Sequence, residues 1–282
     1  YKDVLQPRSL ARLLSHYIFW EKDDKSKDGM YIFPRFHQRE AVDSLLAQAT
    51  PSENYLIQHS AGSGKTKTIA WLAHGLLNKY DELNNRVYDM VIVVSDRKVI
   101  DDQLQEQVQA IEKRRGVVER IEKDSAQLAE AITSGANIVV TTVQKFPYII
   151  EKLGEVANRS YAVIIDEAHS SQSGENARHL RQVISATDLD EAEQAEMEEL
   201  TEGEQERYRQ MAASKAVPNA SFFAFTATPK QKTLELFGTK HSDGTYHPFH
   251  IYSMRQAIEE GFIKDVLEYY IPYPSYFQLM KK

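Results

Sequence analysis

Apolar residues in this chain fall into short unbroken runs, separated by longer stretches in which they recur every three or four positions. Asn54 to His59, Met90 to Val94, Asn137 to Thr141, Tyr161 to Ile165 and Ser221 to Phe225 are such runs, rich in Val, Ile and Phe. A run without polar alternation predicts a strand covered on both faces, the environment of a parallel sheet. Helical spacing over residues 9–21 places Leu10, Leu13, Leu14, Tyr17 and Ile18 on one side. Further helical stretches are expected near 64–80, 98–113, 124–134, 144–153 and 175–186. Strands that alternate with helices imply right-handed crossovers. The expected class is therefore α/β, a parallel sheet with helices on both faces. No internal repeat is present.

The chemistry stands where the runs end. After the first run come Ala61, Gly62, Ser63, Gly64, Lys65 and Thr66, and a helical pattern follows. Strand, glycine-rich turn and helix form the context of a phosphate loop. Its backbone N–H groups converge on an anion that the positive end of the helix also favours. Lys65 would then reach the β- and γ-phosphates of ATP, and the Thr66 hydroxyl would ligate Mg²⁺. A simple glycine turn would not need Lys-Thr after its last glycine. The general motif has glycine five positions before Gly64, where this chain has His59.

The run Tyr161 to Ile165 ends in Asp166, Glu167, Ala168 and His169. An acid at the carboxyl edge of a parallel strand lies on the side where such sheets bind ligands. Asp166 is expected to hold Mg²⁺ and Glu167 to deprotonate the attacking water, with His169 completing the catalytic set. The run Ser221 to Phe225 ends in Thr226, Ala227, Thr228 and Pro229, whose hydroxyls are expected to couple phosphate loss to movement. Read alone, this last element would be an ordinary strand exit.

In this order, Ala-Gly-Ser-Gly-Lys-Thr, Asp-Glu-Ala-His and Thr-Ala-Thr-Pro resemble the first motor lobe of superfamily 2 helicases and translocases. The surrounding text sharpens the likeness: Gln58-His59-Ser60, Ser95-Asp96-Arg97, Asp101-Asp102-Gln103, Thr141 to Phe146, and Tyr252 to Ile263. Together these look like the motor subunit of type I restriction–modification enzymes. The resemblance implies a single RecA-like lobe of the P-loop NTPase class, with ATP and Mg²⁺ as cofactors. It also implies double-stranded DNA and the modification (methyltransferase) and specificity subunits as partners, and a cytoplasmic location in a bacterium or archaeon. In the related motors a glutamine upstream of the phosphate loop bonds the adenine edge, and an arginine three residues earlier stacks on the base. Gln38 and Arg35 match that spacing. Ser95, Arg97, Gln103, Thr141, Thr142 and Lys145, on loops after strands, are the expected DNA path, although Ser95 and Thr142 could equally cap helices. Other readings are a different superfamily 2 motor, or a nucleotide- and DNA-binding module inactive on its own.

Charge complicates the DNA reading without removing it. The net charge is −7, but Asp188 to Glu206 holds ten acids and no bases, so the remainder comes to +3. That block is expected to be an acidic helical insertion over about 188–216. Residues 1–30 would be an N-terminal helix and charged loop, 31–263 the lobe, and 264–282 an exit toward a second lobe. The start at Tyr1 suggests an excised piece. Residues 1–35 hold no strand-borne Asp followed by Glu-x-Lys, the pattern of the nuclease domain that such subunits carry, so cleavage chemistry is not expected in this stretch. Cysteine is absent, which excludes disulfides and thiolate metal sites. No apolar run reaches the ~18 residues of a membrane span.

Overall fold

The computed structural model describes residues 5–22, 29–95, 107–108, 111, 118–121, 127, 130–131, 134, 136–142, 153, 159–166 and 219–265. Element numbers below run over these residues. Seven strands form one sheet in the order β11-β3-β8-β7-β4-β6-β5, and every neighbouring pair is parallel. They are β3 (Asn54–His59), β4 (Met90–Ser95), β5 (Val118–Arg120), β6 (Ile138–Thr142), β7 (Tyr161–Ile165), β8 (Ala220–Thr226) and β11 (His250–Tyr252). The five runs expected as strands are β3, β4, β6, β7 and β8, the five interior strands of the sheet.

Both faces of the sheet are covered, which is why those runs show no alternation. Along β4, Val91 and Val93 join one core and Met90, Ile92 and Val94 the other. The first core includes Val42 and Leu45 of α2 (Phe36–Gln48) and Ile69, Leu72 and Leu76 of α3 (Lys65–Leu77). The second includes Leu236 and Phe237 of α4 (Gln231–Phe237). Full burial of a side chain of this size contributes roughly 1.5–3 kcal/mol, so the sheet is a rigid platform for whatever its edge carries.

The N-terminal segment departs from expectation. Helix α1 spans only Pro7–Arg12, and a π-helical turn over Leu13–Tyr17 follows it. The chain then enters the hairpin β1 (Phe19–Lys22) and β2 (Gly29–Ile32). Of the predicted apolar stripe only Tyr17 is buried, while Leu10 and Leu14 are exposed. The helical spacing persists too briefly to hold a helix against Phe19, which packs edge-on to Trp71 of α3 and draws the chain into an extended path. A second small hairpin, β9 (Thr239–Lys240) with β10 (Tyr246–His247), precedes β11. After β11 comes the short helix α5 (Met254–Glu259). The acidic block 188–216 and residues 266–282 lie outside the described residues.

Candidate nucleotide site

The carboxyl ends of β3, β8 and β7 lie side by side, because Gln58 pairs with Thr226 and Ala224 with Ile165. The phosphate loop leaves β3, Thr226 ends β8 and Asp166 follows β7. With strands spaced ~4.8 Å apart, Asp166 stands about 10 Å from the loop's strand, with Thr226 between them. The three expected motifs are thus collected on one edge in the order loop, hydroxyl, acid.

The loop's shape comes from its glycines. Gly62 and Gly64 have φ of 73° and 82°, in the left-handed region that side chains disfavour. Gly64 caps α3, so Lys65 and Thr66 open the helix, where orphan N–H groups and the helix dipole favour an anion. Ala61 and Gly62 are exposed, whereas Ser63 is buried. The Ser60 and Ser63 hydroxyls are buried and have no hydrogen-bond partner among the described residues. Two buried hydroxyls and a glycine-built turn at a helix N-terminus fit a phosphate group with its Mg²⁺.

Four residues upstream and downstream hold this loop from behind. The Arg35 guanidinium donates to the Gly62 carbonyl at 3.2 Å. His37 Nε2 donates to the Ser63 carbonyl at 2.9 Å, and Gln38 Nε2 donates to that of Gly64 at 3.0 Å. Gln38 Oε1 in turn accepts from the Arg35 backbone N–H at 2.8 Å. The Tyr252 carbonyl accepts from Ser60 N–H at 2.9 Å, and the Tyr252 ring stacks on His37 at 3.6 Å. Arg35 and Gln38 are therefore beside the loop as their spacing suggested, but the Gln38 amide is buried and engaged with protein on both of its atoms.

His59, the residue in place of the motif's glycine, is fully buried. Its Nε2 lies 2.9 Å from His250 Nδ1 on the neighbouring strand β11, and His250 Nε2 stands 3.6 Å from Glu40 Oε2. The acid sets a direction: His250 points its Nε2–H at Glu40, so His59 donates to His250 Nδ1. Burial, followed by the charges of His250, His37 and Lys65, pushes the His59 pKa down to about 2. Burial also lowers His37 and, against the pull of Glu40, His250. Nothing in the spacing of the nine histidines predicts this network. Only the unusual histidine at the glycine position signalled it.

Of the remaining expected residues, Asp166 is nearly buried and its N–H donates to Val94 O at 2.9 Å. Thr226 is buried, while Thr228 is exposed and its N–H donates to Thr226 Oγ1 at 3.3 Å. Ser95 and Thr141 end β4 and β6 but are fully buried, so this conformation presents neither side chain to a DNA strand; Thr142 is partly exposed. Glu167, His169, Arg97, Gln103 and Lys145 lie outside the described residues. Among the described residues no cluster of three or more metal-ligating side chains occurs.

A family profile described as SWI2/SNF2 ATPase matches residues 37–275, most of the chain. The chain belongs to this family. Its span begins at His37 and takes in the phosphate loop, Asp166, Thr226 and the β11–α5 segment. Among individual proteins, the chain is similar to the SsaAORF53P type I restriction enzyme endonuclease subunit of Staphylococcus saprophyticus. The two are 27% identical over 91% of this chain and 23% of that protein. It is also similar to the HindI type I restriction enzyme endonuclease subunit of Haemophilus influenzae, 28% identical over 92% of this chain and 23% of the other. The chain thus spans about a quarter of the length of these relatives. The UvsW helicase of bacteriophage T4 shares the fold, with a TM-score of 0.50 at 12% identity, over 88% of this chain and 68% of that one. The fold is accordingly RecA-like, and the lobe is an ATPase lobe of the SWI2/SNF2 family.

Proposed function

We propose that residues 31–263 are the first motor lobe of an ATP-driven double-stranded DNA translocase, within the motor subunit of a type I restriction–modification enzyme. The observation that carries this reading is the alignment of phosphate loop, Thr226 and Asp166 on one sheet edge, combined with relatives that are named type I endonuclease subunits over nine-tenths of this chain. Lys65 binds the β- and γ-phosphates, while the loop N–H groups and the Ser63 hydroxyl cradle them. Thr66 and Asp166 would hold Mg²⁺, which when bound supplies positive charge at the phosphates. Glu167 takes the proton of the attacking water, and His169 closes the same motif. Arg35 stacks on adenine, while Gln38 fixes the distance between base and phosphate sites. Thr226 and Thr228 pass the loss of phosphate to the rest of the lobe.

In this reading residues 264–282 lead to a second lobe, the modification and specificity subunits are the protein partners, and the complex works in the cytoplasm. No described helix is long and apolar enough to cross a membrane. Catalysis needs an arginine from the second lobe, typically worth ~10³–10⁵ in rate, so residues 1–282 alone turn over little ATP. The test is phosphate release by the complete protein and by the 1–282 fragment across a titration of linear duplex DNA. Duplex DNA should stimulate the complete protein and not the fragment. A rate near one per second from the fragment, or equal stimulation by RNA, would overturn the proposal.

A further inference from the structure

The stretch Tyr252 to Ile263, part of the restriction-type text, reaches the nucleotide site through a short, heavily capped helix. Ser253 opens α5 with a capping box: its hydroxyl accepts from Gln256 N–H at 3.2 Å, and Gln256 Oε1 accepts from Ser253 N–H at 2.8 Å. At the other end Gly261, with φ of 75°, donates to Ile258 O at 2.9 Å, and Phe262 N–H donates to Ala257 O at 2.9 Å. This pair of bonds is the Schellman arrangement, which sends the chain out of a helix in one fixed direction. Six residues would not hold a helix by themselves, so the caps define where Phe262 points.

It points at Arg35. The guanidinium carbon stands 3.8 Å from the centroid of the Phe262 ring. A guanidinium is planar, so a ring at that distance covers one of its faces and fixes its tilt. The hydrogen bond from Arg35 to Gly62 O sets its rotation in the plane. Among the described residues no second ring covers the other face. The arrangement has the parts of a shelf next to the phosphate loop: an aromatic floor and, upon it, the cationic plate of the partly exposed Arg35. Phe262 remains 43% exposed, more than a side chain placed only to fill the core would be.

We propose that Phe262 is a positioning residue for base recognition, holding the Arg35 guanidinium flat so that its outer face stacks on the purine of the bound nucleotide. This rests on the reading that Arg35 contacts adenine. It adds that selection of the base depends on a ring delivered from more than two hundred residues away, by the segment that also pins Ser60 through Tyr252. Loss of the ring leaves Arg35 free to tilt, so the base loses its stack while the phosphates keep theirs.

The test compares Mg-ATP with Mg-tripolyphosphate, which occupies the phosphate loop without a base. Affinities are measured on the complete protein by competition against a fluorescent ATP analogue. Cation–π contacts imply a change on the order of tenfold. Phe262→Ala and Phe262→Leu should each weaken ATP by about that factor and leave tripolyphosphate unchanged, whereas Phe262→Trp should keep wild-type discrimination. Leucine fills most of the same volume and guards against a variant that merely misfolds. Equal weakening of both ligands, or wild-type discrimination in Phe262→Leu, would show that the ring only packs and would overturn the proposal. Arg35→Ala separates the two levels. If that variant keeps the ratio of the two affinities, Arg35 does not read the base and the underlying reading falls with the proposal. If it loses the ratio while Phe262→Leu keeps it, Arg35 stands and the role of Phe262 alone is refuted.

Discussion

Gln38 Nε2 donates to the Gly64 carbonyl at 3.0 Å and lies 2.6 Å from where a Cβ on that glycine would stand. The left-handed backbone calls for glycine here, and a Cβ would in addition push the Gln38 amide off its hydrogen bond. Gly64→Ala should cost about 1–2 kcal/mol from the backbone alone, and it should also displace Gln38 and lower ATP affinity at least ~10-fold by deforming the phosphate cradle. Gly244, equally left-handed at φ 86° but with nothing within 4 Å, is the control. Its alanine variant should lose similar stability and no nucleotide affinity, as read by thermal melts and calorimetry.

Lys65→Ala should abolish Mg-ATP binding while leaving helical content unchanged, since Lys65 opens α3 on the sheet edge and takes no part in either core. Calorimetry together with circular dichroism checks this. Unaltered affinity would remove the loop from the nucleotide site.

Glu167→Gln in the complete protein should retain ATP and DNA binding and slow hydrolysis on the order of 10²–10⁴-fold, the usual worth of a general base. Steady-state turnover at saturating ATP measures it. Near-normal turnover would place the base elsewhere.

Acid should destabilise the lobe in a specific window. The folded pKa of His59, about 2, lies below its ordinary 6.5 because the ring is buried neutral. Below pH 6.5 the unfolded chain therefore binds a proton that the folded chain does not, and stability falls as pH drops from about 6.5 toward 2. For one such group the slope approaches ~1.4 kcal/mol per pH unit. His37 and His250 are lowered as well and add to the effect with the same sign. Urea midpoints at pH 7.5 and 5.5 should differ strongly in the wild type and less in His59→Gln, whatever that variant does to stability at pH 7.5.

Much of the frame could be read from the chain because each central strand is buried on both faces and so announces itself locally. Phosphate loop, Asp166 and Thr226 were legible for a related reason: strand ends in a parallel sheet share one edge, so residues just past each run must meet. What escaped notice was whatever depends on pairing across long separations. His250, Ile251 and Tyr252 form a strand only because β3 offers them a partner, and three residues carry no periodic signal. The contact of Arg35 with Phe262 and that of His59 with His250 arise the same way. At the N-terminus a helical spacing was present but too short to outweigh the packing of Phe19 against Trp71.

The placement of β3 has a consequence for how the molecule is made. Its two neighbours, β8 and β11, lie roughly 160 and 190 residues further along the chain. The strand bearing the phosphate loop is thus synthesised long before either of its partners and is among the last of the sheet to be paired. At ~5–20 residues per second, it waits on the order of ten to forty seconds on the ribosome with both hydrogen-bonding edges open. During that interval an apolar strand is a template for wrong pairing. Long-range closure of this kind is slow as well, since loop entropy is lost before any contact rewards it. The nucleotide site is therefore completed late in the folding of this lobe, when the segment carrying His250, Tyr252 and Phe262 docks.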